Sequence, residues 1–246
     1  MARVDAILCD LFGTVVLFDT SVLPRIEIAG RSIPSTAPLL IPMIRSHLPH
    51  VDAAGLQLSL LATWQQARLG DDHREVSSSV RFGWALEELG LSLEVCAQLS
   101  GTLADVHAGA VCGATYLPNS HAQALSDLAE ECRLALVSNF DHGPACRQML
   151  SNHGLEDAFE AVHISDELGI RKPHPSIFEQ SLSGLGLRPD QCLFVGDSFK
   201  DDVAGASACG MQTAWINPKG KPVPDGGPEP DLILTSFAEL PAALHV

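Results

Sequence analysis

Apolar and polar positions alternate differently in different stretches of this chain. Val4 to Cys9 is almost unbroken apolar sequence and stops at Asp10. A run this short, apolar at successive positions, predicts a strand covered on both faces. Gly13-Thr14 then predicts a turn. From Phe18 to Thr115 the apolar residues recur at helical spacing in Leu56–Leu69, Val80–Leu89 and Leu93–Val106, with Gly90, Gly101 and Gly113 as punctuation. Within that stretch Arg25 to Ile33 alternates around Gly30-Arg31, as a short hairpin would.

From Pro118 onward strand-like and helix-like segments alternate. Strands are expected at Leu134–Val137, Ala161–Ile164, Cys192–Val195, Gln212–Ile216 and Leu232–Leu234. Helices are expected at Pro144–His153, at Pro175–Leu185, before Gly210 and at the end of the chain. Pro218 to Pro230 is rich in Pro and Gly and reads as a surface loop. The alternation predicts an α/β fold, a Rossmann-like, doubly wound parallel sheet. Its core would be residues 1–17 and 116–246, with a mainly helical cap inserted at 18–115. Three of the strands end in polar sequence, at Asp10, Ser138 and Asp197. Such sheets bind ligands beyond the carboxyl ends of their strands, so these ends are candidates to converge.

Composition narrows the function. The 246 residues are 46% hydrophobic and 18% charged, as suits a chain with a large core. The net charge of −15 argues against nucleic acid, which requires a basic face. No stretch is long and apolar enough for a membrane span, and the N-terminal residues lack the pattern of a signal peptide. The seven cysteines are odd in number and irregular in spacing, with no C-x-x-C. That favours free thiols in a cytoplasmic protein over disulfides or a zinc site. The expected partner is a small-molecule substrate; the oligomeric state is left open.

Four short motifs carry candidate chemistry. Asp10-Leu11-Phe12-Gly13-Thr14 places a carboxylate at a strand end, where it can act as a nucleophile or merely cap a turn. Ser138-Asn139 offers a hydroxyl and backbone N–H groups to an anionic oxygen, or simply ends a strand. In Arg171-Lys172-Pro173-His174-Pro175, Lys172 is one of only four lysines, held between stiffening prolines. Gly196-Asp197-Ser198-Phe199-Lys200-Asp201-Asp202 groups acids that suit a hard cation such as Mg²⁺, or an acidic helix start.

In order and spacing the four motifs together resemble the haloacid dehalogenase-like superfamily, in its helical-cap subgroup. The resemblance spans the core, about residues 4–18 and 116–216. It implies that Asp10 attacks the substrate, Thr14 supports it, Ser138 and Asn139 serve the anionic group, and Lys172 bridges the two. It also implies a Mg²⁺ site of Asp10, the Phe12 carbonyl and Asp197, with Asp201 and Asp202 as supporting acids.

One position departs from the phosphatase pattern. Phosphatases of this superfamily usually carry a second Asp two residues after the nucleophile, as proton donor to the leaving group. This chain has Phe12 there. Losing a general acid costs about 10²–10⁴ in rate. The aromatic residue resembles the 2-haloacid dehalogenases, whose halide leaving group needs no proton, whereas Gly196-Asp197 resembles the Mg²⁺-dependent phosphatases. The preferred expectation is a Mg²⁺-dependent phosphohydrolase acting on a small phosphorylated metabolite through an aspartyl-phosphate. The alternatives are a metal-independent 2-haloacid dehalogenase working through an aspartyl ester and, third, a binding protein of weak activity. Asp141 and His142 are candidate replacement proton donors. Arg81 is the cap arginine favoured to read a substrate anion, with a surface position as the plainer expectation. Trp64 and Trp84 are expected in the cap core or its apolar seam, and Cys9 as core filling.

Overall fold

The structure is a computed structural model that describes residues 4–70 and 72–245. The expected strands form one six-stranded parallel sheet. In chain order they are β1 (Ala6–Cys9), β2 (Arg133–Ser138), β3 (Ala161–Ile164), β4 (Cys192–Gly196), β5 (Gln212–Ile216) and β6 (Leu232–Leu234). Their spatial order is β6-β5-β4-β1-β2-β3. The chain winds outward from β1 in both directions, so the topological switch lies at β1. All four residues of β1 are fully buried, as a strand covered on both faces requires. Ala6 and Leu8 pack with Ala135, Val137, Phe178 and Phe194 in one core cluster.

Register decides what meets at the strand ends. Cys9 lies level with Leu136 of β2 and Val195 of β4. Asp10 therefore emerges beside the last residues of both neighbours, and its N–H donates to the Val195 carbonyl at 2.9 Å. The α/β architecture is that expected from the sequence.

The described chain divides into two compact units. The sheet unit comprises residues up to Phe18 together with Tyr116–Phe140 and residues from Leu150 onward. The other contains Asp19–Thr115 and Asp141–Met149. It is mainly helical, with helices at Ala37–Ile44, Ala53–Gln66, Ser78–Glu88 and Leu93–Gly113 and a hairpin pairing Arg25–Ile28 with Arg31–Pro34. Leu40, Ile44, Leu56, Phe82, Leu86 and Leu103 form its core.

The periodicity misjudged this unit in three places. The helix Ala37–Ile44 was not expected; Pro38 falls in its first turn, where proline is tolerated. Gly101 does not interrupt a helix but lies inside one, which continues past Val106 to Gly113. Ala104, Ala108 and Cys112, spaced four apart and buried, extend its apolar face. Trp64 is not a core residue: it is 43% exposed, with the Arg68 guanidinium 3.9 Å above its ring. Among the described residues no helix is long and apolar enough to cross a membrane.

Candidate active site

Asp10 begins where β1 ends. Its carboxylate is held by two donors: Lys172 Nζ reaches Oδ1 at 2.7 Å, and Thr14 Oγ1 donates to Oδ2 at 3.1 Å. Gly13 makes this turn possible. Its φ is +87°, and a Cβ there would stand 2.6 Å from Asp197 Oδ2. The strand end and the acid of the fourth motif thus press against a backbone that only glycine supplies.

Lys172 sits at the centre. The residue is 1% exposed; its ammonium donates to Asp10 Oδ1 at 2.7 Å and to the Val137 carbonyl at 2.7 Å, and forms an ion pair with Asp202 Oδ1 at 2.8 Å. Burial works against its charge, but the two carboxylates outweigh that and hold its pKa above the ordinary lysine value. Asn139 fixes the backbone on which this lysine is mounted. Its Nδ2 donates to the Lys172 carbonyl at 3.0 Å and its Oδ1 accepts from the Lys172 N–H at 2.8 Å. Asn139 is therefore a positioning residue in this structure.

The fourth motif turns tightly after β4. A wide π-helical turn, Phe199–Ala204, carries Asp202 back under the strand end. Its Oδ2 accepts from the Ser198 N–H at 2.9 Å. Gly196 is required here as well, since a Cβ would meet Asp202 Oδ2 at 2.2 Å. Carboxylate oxygens of Asp10, Asp197 and Asp202 all lie within 4.8 Å of one another. Asp201 does not join them; its N–H donates to Ser198 Oγ. Desolvation and the neighbouring charge of Asp10 push Asp197 up to about 6, although the residue as a whole is open to solvent. With the three acids ionised and one lysine among them, the cluster carries excess negative charge that a divalent cation would offset.

Ser138, at the end of β2, is fully buried, and its hydroxyl has no hydrogen-bond partner among the described residues. Leaving such a group unsatisfied costs about 1–3 kcal/mol, which a bound anionic oxygen would recover. Phe12 packs its ring on Phe18 and Phe140, with centroids 5.5 and 4.9 Å apart. The position of the usual proton donor is thus part of an aromatic cluster. Cys9 is buried, and burial raises its thiol far above the ordinary range, as core filling implies.

The proposed substitute donors are engaged elsewhere. Asp141 accepts from Arg81, which is 4% exposed, and His142 Nε2 lies 2.9 Å from Asp105 Oδ1. Arg81 is accordingly not a surface arginine, and the edge formed by its Nε and Nη2 is taken by Asp141.

Sequence reasoning passed over Lys219 and Lys221, which lie in the loop set aside as surface. They line a pocket of about 130 Å³ together with Gly13, Asp197 and Trp215. Asn217, 5% exposed, pins that loop by exchanging two hydrogen bonds with the Lys221 backbone. Two of only four lysines therefore stand beside the acidic cluster of a chain carrying −15. Arg171, next to Lys172, was also given no role; it is 8% exposed and its Nε lacks a partner among the described residues.

Comparison with known proteins turns this geometry into an assignment. The family model for haloacid dehalogenase-like hydrolases matches residues 4–210. The chain belongs to that family. It is 35% identical over 122 residues to an N-acylneuraminate-9-phosphatase of Mus musculus, a match covering 49% of each chain. It is also 35% identical over 94 residues to a phosphoserine phosphatase of Thermus thermophilus, covering 38% of this chain and 37% of the relative. The chain thus spans about half the length, or less, of these curated relatives. Among solved structures, a 2-haloacid dehalogenase from Pseudomonas syringae pv. Tomato superposes with a TM-score of 0.73 at 24% identity, covering 99% of both chains. A phosphatase of the same family from Thermococcus onnurineus gives 0.66 at 22%, covering 98% and 97%. At those identities the likeness is one of fold.

Proposed function

We propose that this hydrolase is a Mg²⁺-dependent phosphohydrolase acting on small phosphorylated metabolites, with Asp10 as nucleophile. The observation that carries the reading is the meeting of Asp10, Asp197 and Asp202 carboxylates around Lys172. An all-oxygen, electron-rich donor set fits a hard divalent cation, and Asp197 is the member that the resemblance to metal-free dehalogenases does not account for. Asp10, Asp197 and the Phe12 carbonyl would hold Mg²⁺, with Asp202 supporting through Lys172. When bound, the ion would neutralise charge on the transferring group. The phosphatase names of the curated relatives support the same reading.

The chain's own residues then divide the work. Thr14 and Lys172 orient the Asp10 carboxylate for attack on phosphorus. The Ser138 hydroxyl and the Lys172 ammonium receive the phosphoryl oxygens. Asn139 keeps Lys172 in place. The Asp10–phosphorus bond forms as the bond to the leaving group breaks, and water later hydrolyses the aspartyl-phosphate. Phe12 donates no proton, so the enzyme favours leaving groups stable as anions, such as acyl or aryl phosphates. Lys219 and Lys221 present positive charge to an incoming anion. The protein acts in the cytoplasm, consistent with its free cysteines.

The aromatic cluster around Phe12 favours a second reading, a 2-haloacid dehalogenase, because halide departs without a proton. One pair of measurements tests the nucleophile in both. Acid quench during turnover of radiolabelled acetyl phosphate should leave the phosphoryl group on the peptide containing Asp10, because water later attacks phosphorus and the label of heavy-oxygen water would go to phosphate. A single dehalogenase turnover of 2-chloropropionate in ¹⁸O-labelled water would instead place label in the Asp10 carboxylate, because water attacks the ester carbonyl. A peptide that carries neither the phosphoryl group nor ¹⁸O would refute covalent catalysis by Asp10.

A further inference from the structure

The helical unit contains a cavity of about 270 Å³ that the proposed reaction does not use. Its walls are apolar: Leu60 and Phe82 are buried, and Leu61 and Trp64 stand at the mouth, 45% and 43% exposed. Three polar side chains also line it, and each has its acceptor already engaged or has none.

Gln57 accepts from Ser35 Oγ through Oε1 at 2.6 Å, which fixes the amide and leaves its NH₂ without a partner among the described residues. Arg81 spends Nε and Nη2 on Asp141, leaving Nη1 without a partner among the described residues. His107 has Nδ1 2.6 Å from Thr36 Oγ1. Thr36 is 4% exposed, and its hydroxyl has no other partner among the described residues. The hydroxyl proton therefore goes to Nδ1, and the ring proton resides on Nε2. Burial holds the His107 pKa down to about 4, so the ring is neutral in the physiological range and keeps that tautomer.

The residues that line the cavity thus carry three uncommitted N–H groups and include no carboxylate. A polyol needs acceptors as well as donors, so it fits poorly. A phosphate dianion calls for more positive charge than one guanidinium already paired with an aspartate. A monoanion with an apolar body matches both the donors and the walls. We infer that this cavity binds a compact apolar carboxylate of about the size of benzoate, independently of the phosphohydrolase site.

The test is calorimetric titration of the whole 246-residue chain with benzoate, with isovalerate and benzamide as comparators. One benzoate should bind per chain, and excess orthophosphate should not displace it. Benzamide should bind at least about tenfold more weakly, because it lacks the charge that Arg81 recognises. Leu61→Trp, at an exposed position on the rim, should fill the cavity and abolish binding. Gln57→Leu removes one donor and should weaken binding about fivefold. Circular dichroism checks that both variants fold. Absence of saturable binding by benzoate and isovalerate would overturn the site. So would unchanged affinity in the folded variants, displacement by orthophosphate, or equal affinity for benzamide.

Discussion

Lys172 is the residue on which the site balances. It is buried and answers two carboxylates with one charge. Lys172→Met would leave Asp10 and Asp202 facing each other without a counter-charge. Loss of one partner from a buried pair costs about 3–5 kcal/mol, so the urea midpoint should fall accordingly, and less when Mg²⁺ is present. Asp10→Asn should retain the fold and lower turnover by at least about 10³-fold, measured with acetyl phosphate. Asp197 behaves in the opposite way to Lys172. Its folded pKa of about 6 lies above the unfolded value near 3.8. The folded state therefore holds the extra proton between those values, and metal-free stability falls as pH rises through that window. Asp197→Asn should raise the thermal midpoint of metal-free protein at pH 8 and remove the stabilisation that Mg²⁺ gives the parent. A lower midpoint in the variant would contradict the repulsion described for the acidic cluster.

At the level of elements, strand ends and the glycines beside them build the site. Gly13→Ala adds a Cβ against Asp197 at a φ that L residues avoid, and Gly196→Ala adds one against Asp202. Each should lower stability by about 1–3 kcal/mol and activity by more, read by denaturant melts and phosphate release. The strands of the sheet were legible in the sequence because buried parallel strands are short apolar runs that stop at polar residues. The meeting of Asp10 and Asp197 was legible for the same reason. Asp202 was visible only as a supporting acid, because its approach to Lys172 depends on the π-helical turn. The pairing of Arg81 with Asp141 was not legible: 60 residues separate them, and no spacing rule joins them. The helix Leu93–Gly113 contributes His107, whose folded pKa of about 4 lies below its unfolded value near 6.5. The unfolded chain takes up a proton there first, so stability should fall as pH drops from about 6.5 to 4. In His107→Gln that slope, followed by thermal melts, should be shallower.

Over the whole molecule, charge is unevenly used. The chain carries −15, yet its four lysines include Lys172 within the acidic cluster and Lys219 and Lys221 at the adjacent pocket. An acidic protein can in this way repel anions generally and still admit one at a chosen place. The same arrangement separates the two candidate chemistries. Mg²⁺ held by Asp10 and Asp197 would polarise a transferring phosphoryl group, whereas halide departs from carbon without a metal. The most direct measurement follows phosphate release from acetyl phosphate and chloride release from 2-chloropropionate in parallel, each with Mg²⁺ and with excess chelator. The account predicts phosphate release that needs Mg²⁺ and stops on chelation, with no chloride released. Chelator-resistant chloride release without phosphatase activity would contradict it.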